Sequence, residues 1–236
     1  MLFRSYMITL PLSQKSIQFR PFVVKEQRNL LMAMESDDAA AIQASVKDIL
    51  TNCTMTPNVD IESLPIVDVE YYFLQLRGKS VGEVVDVRYK CNNEVDGQKC
   101  GGIMETQINI DEVKVEKKKD VNADIQLTDQ IMVRLKYPDF SFISDSLKFK
   151  DLNDMTFHMI AKSVEYVYDG EQYYYANEVP IEEMVEFVEN LSQSQFEKIE
   201  EFFSNLPKLK KEINITCKKC GFKHNIVAEG LESFFA

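Results

Sequence analysis

Two cysteine-containing stretches, YKCNNEVDGQKCGG (residues 89–102) and ITCKKCGFKH (residues 215–224), decide how this chain folds. Each follows an alternating, strand-like run of residues, VVDVRYK before the first and KEINIT before the second. Zinc-ribbon knuckles present their thiolates in this way, at the tip of a hairpin. We therefore expect folding to bring the two distant stretches together.

The cysteines of these stretches are candidate ligands of one structural zinc ion: Cys91, Cys100, Cys217 and Cys220. A tetrahedral site with four thiolates is closed and leaves no position open for catalysis. The second pair has the tight C-x2-C spacing, whereas the first, C-x8-C, needs a loop that folds back on itself. Gly97, Gly101 and Gly102 favour such a loop because glycine accepts positive φ angles. The alternative is a set of partly buried thiols without a metal.

The two histidines and the fifth cysteine are weaker candidates. His224 lies four residues after Cys220 and can replace one cysteine as a ligand, although a histidine so placed is more commonly a solvated hairpin residue. His158, in TFHMIA, is expected to be a buried histidine in the middle of a helix. Cys53, at the end of an apolar helical stretch, is expected to be a small core residue.

The composition is that of an ordinary globular protein. Of the 236 residues, 45% are hydrophobic and 28% are charged, which is enough apolar material for a substantial core. The longest apolar runs, such as YYFL, fall far short of the ~20 residues of a membrane span. Five cysteines with one C-x2-C pair fit a reducing compartment better than a disulfide scaffold. We expect a protein that has no membrane span and is made and kept in a cytoplasm.

The charge balance argues against nucleic acid as a partner. With 27 basic and 38 acidic residues, the net charge of -11 repels phosphate backbones unless a local basic patch overrides it. Two lysine-rich runs are candidates for such a patch, at residues 117–119 and 208–219. Short runs of this kind are usually solvated loop faces.

Hydrophobic periodicity predicts an α+β fold of antiparallel hairpins and several amphipathic helices. The opening segment reads as two short strands followed by two helices, the second capped by Ser36 or Asp37. A third helix is predicted to end at Gly78. The runs on either side of the first cysteine loop, VGEVVDVRYKC and METQINIDEV, are predicted to pair as a hairpin.

The rest of the chain extends this pattern. The alternating runs ADIQL and IMVRLKYP are predicted to join the opening hairpin in one antiparallel sheet. After Pro138 the pattern turns helical, with three helices predicted in the following segments: LNDMTFHMIAKSVEYVYDG, VPIEEMVEFVENL and SQSQFEKIEEFFSNLP.

The C-terminal hairpin must return to the middle of the chain for the cysteine pairs to meet. We therefore expect a single domain or two interlocked lobes, residues 1–137 and 138–236. The first lobe would contain the sheet, its helices and the first cysteine knuckle, and the second would contain the helical segment and the C-terminal cysteine hairpin. Closing so long a loop with a metal constrains the unfolded chain, so zinc removal should loosen the whole protein.

The sequence contains no recognisable catalytic constellation. The eight glycines form neither a GxGxxG nor a P-loop spacing, and no serine lies in a G-x-S-x-G elbow. The carboxylates of IEEMVEF and KIEEFF fall on the solvent faces of amphipathic helices. We predict no catalytic and no organic-cofactor residues, and we expect that the chain is not an enzyme.

A tyrosine-rich segment is a candidate contact surface. Five tyrosines flank an Asp-Gly turn: Tyr166, Tyr168, Tyr173, Tyr174 and Tyr175. Exposed aromatic residues at a turn suit a protein interface, while edge-strand and core packing explains them equally well. The apolar tail LESFFA (231–236) is expected to anchor in a groove of a partner.

Three motifs occur in one order along most of the chain: PF-x-x-K-E (21–26), D-x-E-Y-x-F-x-x-L-R-x-K-S-x-G (68–82) and C-x-x-C-G-x-x-H (217–224). In this combination the chain resembles the baseplate hub proteins of T-even-type contractile-tailed bacteriophages, and its four paired cysteines match the cysteine pattern of that family. The resemblance implies a hub subunit or a hub-assembly factor, without enzymatic chemistry. It also implies other baseplate and hub proteins as partners, and a place in the virion tail baseplate after assembly in the host cytoplasm.

The sequence therefore predicts a structural or assembly protein of a phage baseplate that acts through protein contacts and contains a structural zinc. The alternative is a zinc-ribbon protein that binds nucleic acid or has a regulatory role, with the lysines at 208–219 contacting phosphate.

Overall fold

The computed structural model describes residues 4–36, 38–116 and 121–230. The α-helices are α1 (Val24–Glu35), α2 (Ala39–Cys53), α3 (Ile66–Val81), α4 (Ser141–Ser146), α5 (Leu152–Ser163), α6 (Ile181–Glu189) and α7 (Gln193–Ser204). The strands are β1 (Tyr6–Thr9), β2 (Ser16–Phe19), β3 (Val84–Lys90), β4 (Glu94–Val95), β5 (Gln98–Lys99), β6 (Ile103–Asn109), β7 (Lys114–Glu116), β8 (Asp124–Gln126), β9 (Met132–Leu135), β10 (Val164–Tyr168), β11 (Tyr173–Tyr175), β12 (Lys208–Thr216) and β13 (Lys223–Glu229). All pairings between these strands are antiparallel, which confirms the predicted α+β class.

The first hairpin and the first three helices enclose an N-terminal core. β1 pairs with β2, and the buried ring of Phe19 packs edge-on against Tyr72 of α3, with 5.5 Å between the ring centroids. α2 is capped by Asp38, whose carboxylate accepts two backbone N–H bonds from the first turn of the helix. The predicted cap at Ser36 is therefore wrong, and Asp37 lies outside the described residues.

α3 runs one turn farther than predicted. Gly78 lies inside the helix, which ends at Gly82 with a φ of 143°. A β-carbon at Gly78 would make an ordinary 3.5 Å contact with Ile110, so this glycine neither stops the helix nor is required by crowding. Gly82 ends the helix because only glycine readily adopts its backbone angle.

A buried carboxylate ties the first hairpin to α3. Asp68 is 0% exposed and accepts the backbone N–H groups of Leu12 and Ser13, each at 2.8 Å. These bonds compensate for burying the charge, and they hold the turn between β1 and β2 against the start of α3.

Two hairpins and α3 form a second core, which positions the cysteines. β3 pairs with β6 and β12 pairs with β13, as predicted, while β7 joins the other edge of β12. Their inward side chains pack against Leu74 of α3: Val85, Val87, Ile108, Leu209, Ile213 and Ala228. Because β3 and β12 each lead directly into a cysteine, this core brings the two cysteine stretches together.

A third core lies between a four-stranded sheet and helices α5 to α7. The sheet has the order β11-β10-β9-β8, so β8 and β9 do not join the opening hairpin, and the single sheet predicted from the sequence is wrong. The helix predicted over residues 152–170 ends at Ser163, and the residues that follow form β10. Their alternation of valine and tyrosine suits a strand, since β-branched and aromatic side chains pack well on a pleated surface.

Other predictions for the helices are confirmed, and two predicted segments fall outside the described residues. α6 and α7 form as predicted, and Ser192 and Gln195 make a capping box at the start of α7. Within the described ranges no helix combines the length and the apolar character that crossing a membrane requires. The lysines at 117–119 and the tail at 231–236 lie outside these ranges.

Candidate metal centre

The four cysteines of the two separated stretches lie together. Cys91 follows β3, Cys100 follows β5, and Cys217 and Cys220 lie between β12 and β13. Their sulfur atoms all lie within 4.8 Å of one another. The Sγ atoms of Cys91 and Cys220 are 3.7 Å apart, and those of Cys100 and Cys217 are 3.8 Å apart. The structure thus places all four predicted side chains in one cluster.

The cluster has the dimensions of a four-thiolate metal site. With metal–sulfur bonds of about 2.3 Å, a tetrahedron has sulfur–sulfur edges of about 3.8 Å. The two shortest separations given above match that edge, whereas a disulfide would need about 2.05 Å. All four cysteines are free thiols, and three of them are buried: Cys91, Cys100 and Cys217. Donor type, spacing and burial therefore fit a closed metal site.

The eight residues between Cys91 and Cys100 form a small hairpin of their own. β4 pairs with β5 around Asp96 and Gly97, whose φ angles of 53° and 77° are those of a two-residue hairpin turn. Below it, the N–H of Cys100 donates to the carbonyl of Asn93 at 2.8 Å. The Asp-Gly pair is a sequence signal for this hairpin, which the prediction of a loop between the two cysteines did not include.

Gly102 leaves the space in which the two stretches approach each other. A β-carbon at this position would lie 2.9 Å from Sγ of Cys217 and 3.0 Å from the β-carbon of Lys219. A β-carbon does not come this close to a sulfur or carbon atom unless its neighbours shift, so a larger residue would push the two stretches apart. The N–H of Cys91 also donates to the carbonyl of Gly102 at 2.8 Å, which fixes this segment beside the cluster.

The second cysteine pair lies on a tight knuckle at the tip of the C-terminal hairpin. The N–H of Cys217 donates to the carbonyl of Phe222 at 2.9 Å, and the N–H of Gly221 donates to the carbonyl of Cys217 at 2.8 Å. Gly221 has a φ of 74°, which this turn requires. Lys219 reaches across to the first stretch, where its Nζ donates to the carbonyl of Cys100 at 2.7 Å.

Polar groups around the cluster give the thiols different acidities. Burial raises the pKa of Cys91 to about 12, whereas the backbone N–H of Phe222 lowers the pKa of Cys220 to about 7. The side-chain amide of Asn93 also points at the Cys220 sulfur, at 3.7 Å. Several buried thiolates in contact repel one another, so a bound cation is needed to hold all four in the ionised form that binds metal.

His224 touches the cluster without being one of its four donors. Its Nε2 lies 3.2 Å from Sγ of Cys91, and its ring packs against Phe222 with 4.8 Å between centroids. The residue is half-buried on β13, so its interpretation as a solvated hairpin residue is wrong. The structure places it where it can hydrogen-bond to a cysteine sulfur.

The other two candidates lie away from the cluster. Cys53 is fully buried in the N-terminal core, as predicted. Burial raises its pKa to about 12, and Nη1 of Arg20 lies 3.5 Å from its Sγ. His158 is half-buried rather than buried, with its ring 4.9 Å from that of Phe149. The prediction of a core histidine fails because α5 turns a different face, including Ile160, into the core.

The tyrosine-rich segment forms the hairpin of β10 and β11, with β11 at the edge of its sheet. Tyr173, Tyr174 and Tyr175 are 51%, 40% and 44% exposed. Tyr166 and Tyr168 are half-buried and pack against Tyr173, with ring centroids 5.1 and 4.7 Å apart. The segment therefore combines internal packing with an exposed aromatic surface.

Lysines of the second lysine-rich run face carboxylates of the same chain. Lys208 contacts Glu229 at 2.6 Å, Lys210 contacts Glu116 at 2.6 Å, and Lys211 contacts Glu112 at 2.5 Å. Lys219 also donates to a backbone carbonyl. These lysines of the run therefore have partners within the chain.

Comparison with known proteins places this architecture in a family. The model of the family described as "T4 bacteriophage base plate protein" matches residues 3–236. The chain is also similar to a protein of Enterobacteria phage T4 named baseplate hub assembly protein gp26, with 22% identity over 231 residues, which are 98% of this chain and 97% of the relative. No solved structure matches the chain. The chain belongs to the family of T4 bacteriophage base plate proteins.

Proposed function

We propose that this chain is a structural or assembly protein of a phage tail baseplate, acting at the hub as a hub subunit or a hub-assembly factor. The observation that carries this proposal is the end-to-end similarity to a protein named for hub assembly, which covers 98% of the chain. A match over nearly the full length relates the whole fold, and not one shared motif, to the baseplate family. Its partners are other baseplate and hub proteins, and its place is the virion tail after assembly in the host cytoplasm.

The cysteine cluster binds one structural zinc ion in this proposal, through Cys91, Cys100, Cys217 and Cys220. The four sulfur atoms lie within 4.8 Å of one another, and two separations equal the edge of a zinc–thiolate tetrahedron. Four thiolates are one of the donor sets typical of structural zinc sites in proteins. His224 acts as an outer hydrogen-bond partner of Cys91 and not as a ligand.

The zinc connects parts of the chain that are distant in sequence. The core beneath the cluster combines residues from the middle of the chain, such as Val85, with residues near its end, such as Ala228. The helical segment inserted between them has its own core with Ile160 and Phe202. We propose that these parts fold as interlocked lobes of one unit, which the metal stabilises by closing a long loop.

The proposed role is mechanical rather than catalytic. The description of the family and the name of the T4 relative both refer to the baseplate. An apolar cleft of about 490 Å³ lies where α3, α7 and the end of β13 meet, and the side chains described along it include no histidine, cysteine or serine. A closed zinc site also has no open coordination position. We therefore propose that the chain is not an enzyme and presents surfaces, among them the exposed tyrosines of β11, to neighbouring subunits.

The alternative function, nucleic-acid binding through the lysines at 208–219, is less well supported. Lys208, Lys210 and Lys211 already contact carboxylates, and the net charge is -11. A phosphate-binding protein loses affinity with a log–log salt slope close to the number of contacted phosphates. We expect no retention on duplex DNA or RNA at low salt, and retention with such a slope would support the alternative instead.

Deletion of the gene from its phage tests the proposed function. We expect tails without complete baseplates by electron microscopy, and restoration when the wild-type chain is supplied from a plasmid. The Cys217→Ser chain should fail to restore assembly, whereas the Cys53→Ser chain, altered away from the cluster, should succeed. Mass spectrometry of purified virions then separates a hub subunit, which stays in the particle, from an assembly factor, which does not. Normal baseplates in the deletion phage would contradict the proposal.

A further inference from the structure

Among the described strands, β13 lies at an edge of its sheet. In the sheet order β13-β12-β7 it has β12 on one side and no described strand on the other. It is seven residues long, and four of its side chains are exposed: Lys223, Asn225, Val227 and Glu229. A strand edge of this length is a template on which another strand can add.

The bonds at the two ends of the hairpin show which residues of β13 face the open side. The N–H of Cys217 donates to Phe222, and the N–H of Gly230 donates to Leu209. Hydrogen-bonded and non-bonded pairs alternate along an antiparallel ladder. In the register of β12 and β13, the residues that bond to β12 are therefore His224, Ile226 and Ala228. The odd-numbered residues between and beside them direct their N–H and C=O groups outward.

The sequence of β13 is complementary to itself when two copies run antiparallel. Pairing centred on Ile226 sets Asn225 opposite Val227 of the second copy, and Lys223 opposite Glu229 of the second copy. All of these opposed residues have outward-directed backbone groups, so hydrogen bonds and charge complementarity agree on one register. We propose that β13 pairs with β13 of a second copy of this chain about a two-fold axis at Ile226, forming a homodimer with a continuous six-stranded sheet.

The exposed side chains near the edge suit this contact. Val227 is 45% exposed and Phe222 at the hairpin tip is 47% exposed, and both lose exposure when a second strand is added. Glu229 already contacts Lys208 at 2.6 Å, and its carboxylate then accepts a second lysine from the other copy. A carboxylate between two lysines is better neutralised than one beside a single lysine.

The overall charge limits the strength of the dimer. A net charge of -11 on each copy opposes association, but exposed charges beyond about 8 Å are largely screened at 0.15 M salt. A contact built on one strand pair also falls at the small end of protein interfaces, which are weak and transient. The dimer therefore forms in a concentration-dependent manner. It is independent of the proposed hub function, which would stand without it.

Sedimentation of the purified full-length protein over a concentration series tests the dimer. The wild-type mass should rise from 27.3 kDa toward twice that value as concentration increases. Val227→Pro removes one outward N–H, and a proline whose nitrogen faces outward is tolerated at a sheet edge. It should stay monomeric at all concentrations. The matched control Val227→Thr keeps the N–H and the β-branched shape, and it should dimerise like the wild type.

A second variant tests the dimer without a proline, in case Val227→Pro disturbs the hairpin. Lys223→Glu leaves the backbone intact and places two carboxylates opposite each other at both ends of the dimer, so it should weaken association at least about tenfold. Unchanged far-ultraviolet circular dichroism would establish that each variant is folded. A wild-type chain that stays monomeric throughout, or a Lys223→Glu chain that dimerises as tightly as the wild type, would overturn the proposal. The first result would leave the edge available to a strand of a different protein.

Discussion

The Sγ atom of Cys100 lies 3.8 Å from that of Cys217, although the two residues are 117 positions apart. The contact depends on the packing of two hairpins and α3 in one core, and on the absence of a side chain at Gly102. The contact is therefore a property of the whole fold rather than of a local motif. Substitutions in either cysteine stretch should lower the stability of the whole chain.

Gly102→Ala should damage the proposed metal centre although it replaces no cysteine. The added methyl group would lie 2.9 Å from Sγ of Cys217, so the two stretches must move apart. We expect a loss of about 1–3 kcal/mol of stability, as for other overpacked sites, and weaker cobalt binding in a spectroscopic titration. Gly78→Ala is the control, because its methyl group meets nothing closer than 3.5 Å and alanine favours a helix. Equal metal affinity in both variants would show that Gly102 has no steric role.

Asp68→Ala should destabilise the N-terminal part of the chain. The substitution leaves the N–H groups of Leu12 and Ser13 without their 2.8 Å acceptor, in a place that water reaches poorly. We expect a loss of about 2–4 kcal/mol in urea unfolding. Asp86→Ala, on the exposed face of β3, should cost less than about 0.5 kcal/mol. A cost at Asp68 as small as that at Asp86 would contradict the anchoring role.

Glu26 should contribute to stability at neutral pH and lose that contribution in acid. The guanidinium of Arg20, hydrogen-bonded at 2.7 Å, lowers the pKa of Glu26 from its ordinary value of 4.5. A lowered carboxyl pKa stabilises the folded state fully above 4.5, and the effect disappears as pH falls through the folded-state pKa. Urea unfolding should show Glu26→Gln about 1 kcal/mol less stable than the wild type at neutral pH, with the gap closing in acid.

The control for Glu26 is the exposed pair of Glu112 and Lys211, which also lowers the pKa of its carboxyl group. Because solvent screens such a pair, Glu112→Gln should change stability less than Glu26→Gln at neutral pH. A gap for Glu26→Gln that stays constant from neutral to acid pH would contradict the assigned pKa shift.

The exposed tyrosines should matter more for assembly than for folding. Tyr173 and Tyr175 stack on one face of the β11 hairpin and are each more than 40% exposed. Replacing both by alanine should reduce baseplate yield in the complementation assay at least about tenfold, because aromatic residues dominate protein contacts. The thermal midpoint should fall by only a few degrees. A large fall in the midpoint with normal baseplates would favour the alternative, that these residues serve packing alone.

The cysteine cluster and its hairpins could be predicted because their signals are local and strong. The alternation of apolar and polar residues before Cys91 and Cys217 predicts the strands, and the glycines beside the cysteines predict the turns. The paired strands β3 and β6 enclose the first cysteine loop, so their partnership follows from the chain order alone.

Other features depend on contacts that the sequence does not display. Val164–Tyr168 follows α5 directly, with no helix-ending residue between them. It forms a strand because it pairs with β9, which is distant in sequence. The grouping of strands into separate sheets also depends on tertiary packing. The proximity of His224 to Cys91 depends on the positions of both cysteine stretches, which a sequence does not display. The turn at Asp96 and Gly97, by contrast, has a local signal in its Asp-Gly pair.

The most direct test of this account is the metal content of the purified protein and of its cysteine variants. We predict one zinc per chain in the wild type and in Cys53→Ser, and loss of the metal in both Cys91→Ser and Cys217→Ser. The thermal midpoint should fall by about 10 °C or more in the last two, since each kcal/mol shifts it by about 2–4 °C in a chain of this size. No metal in the wild type, or a Cys91→Ser chain that keeps its zinc, would contradict a shared metal centre that joins the two distant stretches.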